Sequence, residues 1–232
     1  LFESFPAAYL NLKAGDRHIA ETWHRLARNA LSATNHYANC PLSANVMFSI
    51  FTSAYEMNSR HSVIQAHPGI GLKTLPEVLG ARGYRTCHIH TGGLAYAGQN
   101  RFLAGRGYDR ILEYNDLVRV PPYNRQVGWG LDERAMIQPA VDFMKGDPSR
   151  PFFVVLQPVN PHHPYEIPDD SFAVAGSPRG LDGKAAAWVK YQNSLHYADA
   201  VLGMLVERME REGLMDNTLF ILVADHGEAI YQ

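Results

Sequence analysis

Two residue types that ligate metals, Asp225 and His226, stand side by side directly after an apolar run near the end of the sequence. The run, residues 218–224, has the composition of a buried strand, so both side chains would lie where that strand gives way to a loop. In open α/β sheets, ligands bind just beyond the carboxyl ends of the strands. A carboxylate and an imidazole at such a point, followed by Gly227 for a tight turn, predict half of a metal site. The alternative is an Asp-capped turn with a surface histidine.

Three further segments carry residues that would complete such a site. Glu3 follows an apolar start, and His162 comes shortly after the apolar run at 151–157. Ser43 lies in a polar stretch that also holds Cys40. Because the carboxyl ends of parallel strands meet at one edge of a sheet, we expect these segments to converge. Two carboxylates, several imidazoles and a hydroxyl suit a divalent cation, which lowers the pKa of a bound hydroxyl and makes it a stronger nucleophile.

The elements that must position these residues alternate between helices and strands. Helical spacing of apolar residues, capping patterns and short apolar runs distinguish the two types. The order predicts an α/β fold with a mostly parallel sheet. The predicted helices cover residues 18–32, 74–83, 131–145 and 185–213, the predicted strands cover 84–90, 151–157 and 218–224, and residues 46–52 fit either a helix or a buried run. Residues 113–130, rich in Pro, Tyr, Asn and Arg, are predicted to form a long irregular loop.

Composition excludes several classes of protein. The 232 residues are 46% hydrophobic and 19% charged, which is typical of a globular chain. The net charge of −2, without a basic block, gives no indication of a nucleic-acid partner. The two cysteines make no disulfide framework. The sequence starts as if inside a strand and stops soon after His226, so we expect a fragment, and membrane attachment would need an anchor upstream of Leu1.

Read in order, the motifs resemble the sulfatase-type catalytic domain of the alkaline-phosphatase superfamily. Within it they are most similar to the lipoteichoic-acid synthase and phosphoglycerol transferase branch. The resemblance runs nearly end to end, and its most specific motif is the Asp-His-Gly-Glu of residues 225–228. The other matching segments are residues 3–4, 49–55, 128–132, 162–165, 197–203 and 216–218.

The resemblance implies a fold and a metal. It implies a three-layer α/β/α sandwich with a mostly parallel central sheet, formed by a single domain over residues 1–232. It also implies that Glu3, Asp225 and His226 hold one divalent ion. Mixed carboxylate and imidazole ligands suit Mn²⁺, Mg²⁺ or Zn²⁺ better than Ca²⁺, and Mn²⁺ is favoured.

The resemblance also implies catalytic and substrate-binding residues. Counting back nine residues from Thr52 in the matching segment gives Ser43 as the nucleophile. His162 corresponds to the histidine that binds a phosphate oxygen or assists the leaving group. Trp129 and His163 are expected to bind substrate. The expected substrate is a small-molecule, glycan or lipid ester, and the resemblance favours the cell envelope, the periplasm or the exterior as the location.

One departure from the sulfatase pattern bears on the reaction. Sulfatases that convert Cys or Ser to formylglycine have Pro two residues later and Arg four residues later, whereas Ser43 is followed by Asn45 and Met47. Cys40 lacks that pattern as well. An unmodified serine suits phosphate-ester chemistry through a covalent phosphoserine. Glu3 also stands alone, where sulfatases have two adjacent aspartates.

Three functional classes stay open at this point. The leading one is a metal-dependent hydrolase of phosphate or sulfate esters. The second is a membrane-anchored transferase of phosphoglycerol or phosphoethanolamine type that acts on the cell envelope. The third is a binding domain that retains the fold without catalysis.

Four more polar residues have structural as well as functional interpretations. Asp132 fits either a charge at a helix N-terminus or a site residue. Asp199 on the long helix is predicted to be structural. His88 and His90 lie on one face of a predicted strand, where packing is favoured over a metal site.

Overall fold

The computed structural model of the chain describes residues 1–56, 61–228 and 230. Within these residues the helices are α1 (Glu21–Ala27), α2 (Ser43–Thr52), α3 (Val63–Ala66), α4 (Leu75–Gly80), α5 (Gln99–Leu103), α6 (Tyr114–Leu117), α7 (Ile137–Lys145) and α8 (Gly183–Arg211). The strands are β1 (Lys13–Ala14), β2 (Arg17–His18), β3 (Arg85–His90), β4 (Arg110–Leu112), β5 (Gln126–Val127), β6 (Gly130–Leu131) and β7 (Phe152–Gln157). None of these helices combines the length and the apolar character needed to cross a lipid bilayer.

Three parallel strands, in the order β4–β3–β7, form the central sheet. In its register Cys87 of β3 pairs with Arg110 of β4 on one side and with Val154 of β7 on the other. Every residue of β3 is buried, as expected for the middle strand of a parallel sheet that is covered on both faces.

The first residues of the chain continue this layer beyond β7. The amino group of Leu1 donates to the carbonyl of Leu156 at 2.8 Å. The amide of Phe2 donates to the carbonyl of Val223 at 2.7 Å, and the amide of Asp225 donates back to Phe2 at 2.9 Å. The residue after Phe2 and the side chain of Asp225 therefore emerge at the same edge of the sheet.

Alternate residues of the sheet face two separate hydrophobic cores. Cys87 and Ile89 of β3 pack with α7 and α8 on one side. Phe153 and Val155 of β7 pack with α2 and α5 on the other side. Because side chains on a strand alternate between its faces, one sheet supplies both cores. Helices thus cover both faces of a parallel sheet, which confirms the predicted three-layer α/β/α arrangement.

Several predicted elements form close to their expected positions. The predicted strands at 84–90 and 151–157 are β3 and β7, and the long helix predicted at 185–213 is α8. The undecided run at 46–52 lies within α2. The capping pattern at the start of α4 is also present, because the amide of Thr74 donates to the carboxylate of Glu77 at 2.8 Å.

Two predicted helices are shorter than expected. The helix predicted at 18–32 is limited to α1, since His18 pairs within the β1–β2 hairpin and Leu31 is exposed to solvent. The helix predicted at 131–145 begins with a separate 3₁₀ turn, Glu133–Met136, and only then continues as α7. The loop predicted at 113–130 contains α6 and part of the β5–β6 hairpin, so it is less irregular than expected.

The buried strand predicted at residues 218–224 is wrong for most of its length. Only Ala224 pairs, through an isolated parallel bridge to Phe2. Leu219 and Ile221 are 85% and 68% exposed. The prediction holds only for the end of this segment, where hydrogen bonds with Phe2 bring Asp225 to the sheet edge.

Candidate functional site

Glu3, Asp225 and His226 converge at the sheet edge beyond β7, and we call them the carboxylate–histidine triad. One ligand atom of each lies within 4.8 Å of the others. Among the described residues, no other group of three or more His, Cys, Asp or Glu side chains has this geometry. Glu3 and Asp225 are 8% and 2% exposed, so both carboxylates are largely removed from water. The structure therefore brings together the three residues that were predicted to hold a metal.

The imidazole of His226 is oriented by its own backbone. Its Nδ1 lies 2.8 Å from the carbonyl oxygen of Gly227. Because a carbonyl can only accept, Nδ1 is the donor in this contact, which leaves Nε2 for other partners. Nε2 lies 3.5 Å from Asp225 Oδ2 and 3.7 Å from Glu3 Oε1. The nitrogen able to bind a metal thus faces both carboxylates.

The charge of the triad favours a cation. Burial, followed by the neighbouring Asp225 carboxylate, raises the pKa of Glu3 to about 8, whereas hydrogen bonds from the Ser4 and Ser43 hydroxyls oppose that rise. Two carboxylates held together away from water repel each other unless a positive charge compensates them. Carboxylate oxygens and a neutral imidazole are also the donors that Mn²⁺, Mg²⁺ and Zn²⁺ accept. The triad therefore fits a divalent ion in both charge and donor type.

Ser43 places a hydroxyl directly against the triad. It is the first residue of α2, and its Oγ donates to Glu3 Oε2 at 3.1 Å. The same Oγ lies 3.3 Å from His226 Nε2. Cys40, the alternative nucleophile, instead accepts a hydrogen bond from Asn45 Nδ2 at 3.3 Å. The geometry thus associates Ser43 with the triad.

Two residues that sequence analysis did not assign support the position of Glu3. Ser4 has a positive φ of 47°, and its amide donates to Asp225 Oδ1 at 2.9 Å while its hydroxyl donates to Glu3 Oε1 at 2.8 Å. Tyr191 of α8 donates its hydroxyl to the Ser4 carbonyl at 2.6 Å. The strained backbone at Ser4 is held by bonds on both sides, as is common at functional sites. The adjacent Glu-Ser pair was a usable signal for Ser4, but nothing in the sequence singles out Tyr191.

Trp129, His162 and His163 form a second group, which we call the Trp–His cluster. The rings of Trp129 and His162 meet edge to face, with centroids 4.4 Å apart. The indole Nε1 of Trp129 donates to the carbonyl of His163 at 2.6 Å, and His162 Nδ1 lies 2.9 Å from the same carbonyl. As in His226, Nδ1 of His162 is the donor in this contact, which leaves Nε2 available to a ligand. Trp129 remains 45% exposed, so the cluster is open to solvent.

The two groups are linked by packing. The ring of His163 contacts that of Tyr165, with centroids 5.4 Å apart, and Tyr165 contacts Tyr191 at 5.2 Å. Burial, followed by the nearby carboxylate of Glu228 in the Asp-His-Gly-Glu motif, raises the pKa of the Tyr165 phenol. Within the described residues, no hydrogen bond or ion pair joins the Trp–His cluster to the triad directly. A molecule in contact with both groups would have to bridge the distance between them.

The remaining polar residues have structural positions. Asp132 pairs with Arg134 through both carboxylate oxygens and accepts a hydrogen bond from Tyr197 at 2.8 Å. Asp199 accepts the amides of two α1 residues, at 2.7 and 2.8 Å. His88 and His90 are buried in β3, where both bond to Gln157. These contacts anchor elements of the fold.

Comparison with known proteins identifies the family. A family model described as Sulfatase matches residues 1–232. The lipoteichoic acid synthase-like YvgJ of Bacillus subtilis is 20% identical over 226 residues, which are 97% of this chain and 35% of that protein. The ulvan-active sulfatase of Formosa agariphila is 26% identical in an alignment of 242 positions, which covers 93% of this chain and 47% of that protein. The chain therefore spans less than half the length of either relative.

Solved structures share the fold. The lipoteichoic acid synthase LtaP from Listeria monocytogenes has a TM-score of 0.86 at 19% identity, covering 98% of this chain and 55% of that one. The periplasmic domain of EcEptC from Escherichia coli, in complex with Zn, has a TM-score of 0.65 at 16% identity, with coverages of 91% and 58%. The phosphoglycerol transferase GacH of Streptococcus pyogenes, in complex with sn-glycerol-1-phosphate, has a TM-score of 0.62 at 15% identity, with coverages of 91% and 56%. The chain belongs to the sulfatase family.

Proposed function

We propose that residues 1–232 form the catalytic domain of a metal-dependent enzyme that cleaves phosphate or sulfate esters with Ser43 as the nucleophile. The observation that carries this proposal is the position of Ser43 Oγ, 3.1 Å from Glu3 Oε2 and 3.3 Å from His226 Nε2. A serine hydroxyl is a weak nucleophile until its surroundings activate it. Contact with two predicted metal ligands is the arrangement that such activation needs.

In this proposal Glu3, Asp225 and His226 hold one divalent ion. When bound, the ion lowers the pKa of the adjacent hydroxyl and offsets the negative charge of the ester group. Mn²⁺ is favoured by the mixed donors. Zn²⁺ is the second choice, because the E. coli structural neighbour was solved in complex with Zn.

The reacting atoms are those of Ser43 and the ester. The Oγ of Ser43 forms a bond to phosphorus, and the bond from phosphorus to the leaving alcohol breaks. His162, when its Nε2 carries a proton, binds a nonbridging oxygen or donates that proton to the departing alcohol. Trp129 and His163, which lie beside His162, would contact the remainder of the substrate.

Phosphate is favoured over sulfate as the transferred group. Ser43 is followed by Asn45 and Met47 in place of the Pro and Arg that accompany formylglycine formation. An unmodified serine forms a phosphoserine, from which water or a second alcohol removes the phosphoryl group. The first outcome makes the protein a hydrolase and the second a transferase.

A transferase of cell-envelope polymers is the second candidate. It is supported by the similarity to a lipoteichoic acid synthase-like protein and to a phosphoglycerol transferase in complex with sn-glycerol-1-phosphate. The substrate would then be a glycan or lipid phosphodiester at the cell envelope. The non-catalytic alternative is disfavoured, because the three predicted ligands converge and the Ser43 hydroxyl contacts two of them.

The test is an ester-cleavage assay on the whole protein that carries this chain, with Mn²⁺ or Zn²⁺ added. Phosphodiester and sulfate-ester substrates are compared for the wild type, Ser43→Ala, His226→Ala and the control Cys40→Ala. We expect phosphodiester cleavage that is lost in the first two variants and retained in Cys40→Ala. Sulfate-ester turnover that depends on Cys40 would overturn the assignment of Ser43. Turnover only in the presence of an acceptor alcohol would select the transferase.

A further inference from the structure

Glu133 is a buried carboxylate that belongs to neither the triad nor the Trp–His cluster. Its side chain is fully buried, and no Lys or Arg pairs with it among the described residues. Oε1 accepts the amides of Val159 and Asn160, each at 2.8 Å, and Oε2 accepts the hydroxyl of Thr91. A buried carboxylate is costly unless its hydrogen bonds are made. Here two of those bonds go to two successive residues of a single segment.

That segment leads directly to His162. The amide of His162 donates to the carbonyl of Val159 at 3.0 Å, so fixing Val159 fixes the turn that presents the imidazole. The side chain of Asn160 strengthens the attachment, because its Nδ2 donates to Glu133 at 3.2 Å and its Oδ1 accepts from Ser194 of α8 at 2.7 Å. Glu133 and α8 therefore hold the base of the turn from two sides.

The fit around Val159 is tight. A Cβ added at Gly92 or at Gly130 would lie 2.8 Å from Val159 Cγ2. Gly130 directly follows Trp129, so the close contact between Gly130 and Val159 also fixes the backbone that carries the indole. A shift of Val159 would therefore change the position of His162 relative to Trp129.

We propose that Glu133 is a positioning residue, which fixes Val159 and Asn160 and thereby holds His162 against Trp129. The inference rests on the proposed function, in which His162 acts on the ester. In this role Glu133 accepts hydrogen bonds from the amides of Val159 and Asn160, and its side chain must be long enough to reach them. A glutamine can replace it, since its carbonyl can accept both amides and its amide nitrogen can donate to the Thr91 hydroxyl, which also accepts.

The experiment compares Glu133→Ala, Glu133→Gln and a matched control, Asp199→Ala, in the whole protein. Asp199 is also a buried carboxylate that accepts two backbone amides, but those belong to α1. We expect Glu133→Ala to lower kcat at least ~10-fold, because misplacing a catalytic group by about 1 Å can cost ~100-fold. Glu133→Gln should retain kcat within about threefold. Asp199→Ala should lower the unfolding midpoint but keep the wild-type kcat.

A second readout does not depend on activity. Every tryptophan of the whole protein except Trp129 is replaced by Phe, which within residues 1–232 means Trp23 and Trp188. Because the indole of Trp129 bonds to the His163 carbonyl, release of the turn should expose it. We expect acrylamide to quench Trp129 more strongly in Glu133→Ala than in Glu133→Gln or Asp199→Ala.

The outcomes separate this inference from the proposed function. Turnover that is lost in Ser43→Ala but unchanged in Glu133→Ala would leave the proposed function intact and overturn the positioning role. If the wild type shows no turnover that depends on Ser43, the proposed function fails, and quenching alone decides. Equal quenching in the wild type and Glu133→Ala would then contradict the inference, and stronger quenching in Glu133→Ala would support it.

Glu133→Asp keeps the test decisive if Glu133→Ala does not fold. Aspartate retains the charge but is one methylene shorter. Positioning by length predicts an impaired Asp variant and an active Gln variant. The opposite pattern would show that the charge of Glu133 acts, and would overturn the inference.

Discussion

The phenol of Tyr191 donates a hydrogen bond to the backbone carbonyl of Ser4 at 2.6 Å, although 187 residues separate the two. Ser4 in turn donates its amide to Asp225 and its hydroxyl to Glu3. The long helix α8 therefore reaches the predicted metal ligands through a single turn of backbone. That turn has a positive φ at a residue with a side chain, so it depends on the bonds around it.

We expect Tyr191→Phe to weaken metal binding by loosening this turn. The substitution leaves a buried carbonyl without its partner, which costs about 1–3 kcal/mol of folding free energy. Titration calorimetry with Mn²⁺ should show a lower affinity than in the wild type. Tyr108→Phe is the matched control, because the buried Tyr108 hydroxyl has no hydrogen-bond partner among the described residues. Equal loss of affinity in both variants would contradict a specific role of the Tyr191–Ser4 bond.

Metal removal should destabilise the protein. A ligand that binds only the folded state adds about 2.7 kcal/mol at one hundred times its Kd. For a chain of this size that corresponds to a rise of roughly 5–10 °C in Tm. We expect Mn²⁺ or Zn²⁺ to raise Tm relative to protein in EDTA, as followed by differential scanning fluorimetry. The increase should vanish in Asp225→Asn, and its persistence there would place the bound ion elsewhere.

Glu133 should make stability depend on pH. Burial raises the pKa of Glu133 from its ordinary value of 4.5 to about 7, although hydrogen bonds from Thr91, Val159 and Asn160 favour the ionised form. The folded state then holds this proton more tightly than the unfolded state. The group therefore lowers the unfolding free energy as pH rises from about 4.5 to about 7, by on the order of 3 kcal/mol, and changes little above that range.

Urea unfolding of the wild type and Glu133→Gln at pH 5 and pH 8 measures this contribution. Relative to the wild type, Glu133→Gln should have a higher unfolding free energy at pH 8 than it has at pH 5. Groups common to both proteins cancel in that comparison. A difference that is the same at both pH values would show that Glu133 titrates alike in the folded and unfolded states.

Gly107→Ala should be strongly destabilising. Gly107 has a φ of +78°, and an added Cβ would lie 2.7 Å from the Cα of Glu77. We expect about 1–2 kcal/mol from the backbone conformation and about 1–3 kcal/mol from the collision with α4. Gly83→Ala isolates the first contribution, because Gly83 has a φ of +87° with no atom within 4 Å of the added carbon. Thermal unfolding of both variants gives the two costs, and equal costs would refute the collision.

The sheet and the carboxylate–histidine triad were predictable from the sequence for a clear physical reason. Strands buried on both faces are nearly continuous apolar runs, and parallel strands end at a common edge. The runs that became β3 and β7 therefore located the sheet. The polar residues that follow the apolar segments located Glu3, Asp225 and His226. Ser43 required the resemblance to a family, since an isolated serine in a polar stretch has no periodic signal.

Other features depend on contacts between distant segments and left no local signal. The break before α7 coincides with two hydrogen bonds of Tyr197 on α8, whose hydroxyl accepts the Glu133 amide and donates to Asp132. The apolar run at 218–224 has the composition of a strand, yet Leu219 and Ile221 remain exposed. The sequence also gives no indication that Glu133 is buried, because residue type alone does not distinguish a buried glutamate from an exposed one.

The pairing of Phe2 with residues 223–225 has a consequence for biosynthesis. Ser4 and Asp225, which bond directly, are 221 residues apart. At a synthesis rate of about 5–20 residues per second, Glu3 and Ser4 are made roughly 10–45 seconds before Asp225. An emerging chain therefore carries a solitary glutamate with little affinity for ions. A metal ion held by the proposed ligands could bind only after the two distant segments have met, so its binding would follow their long-range association rather than the folding of either segment.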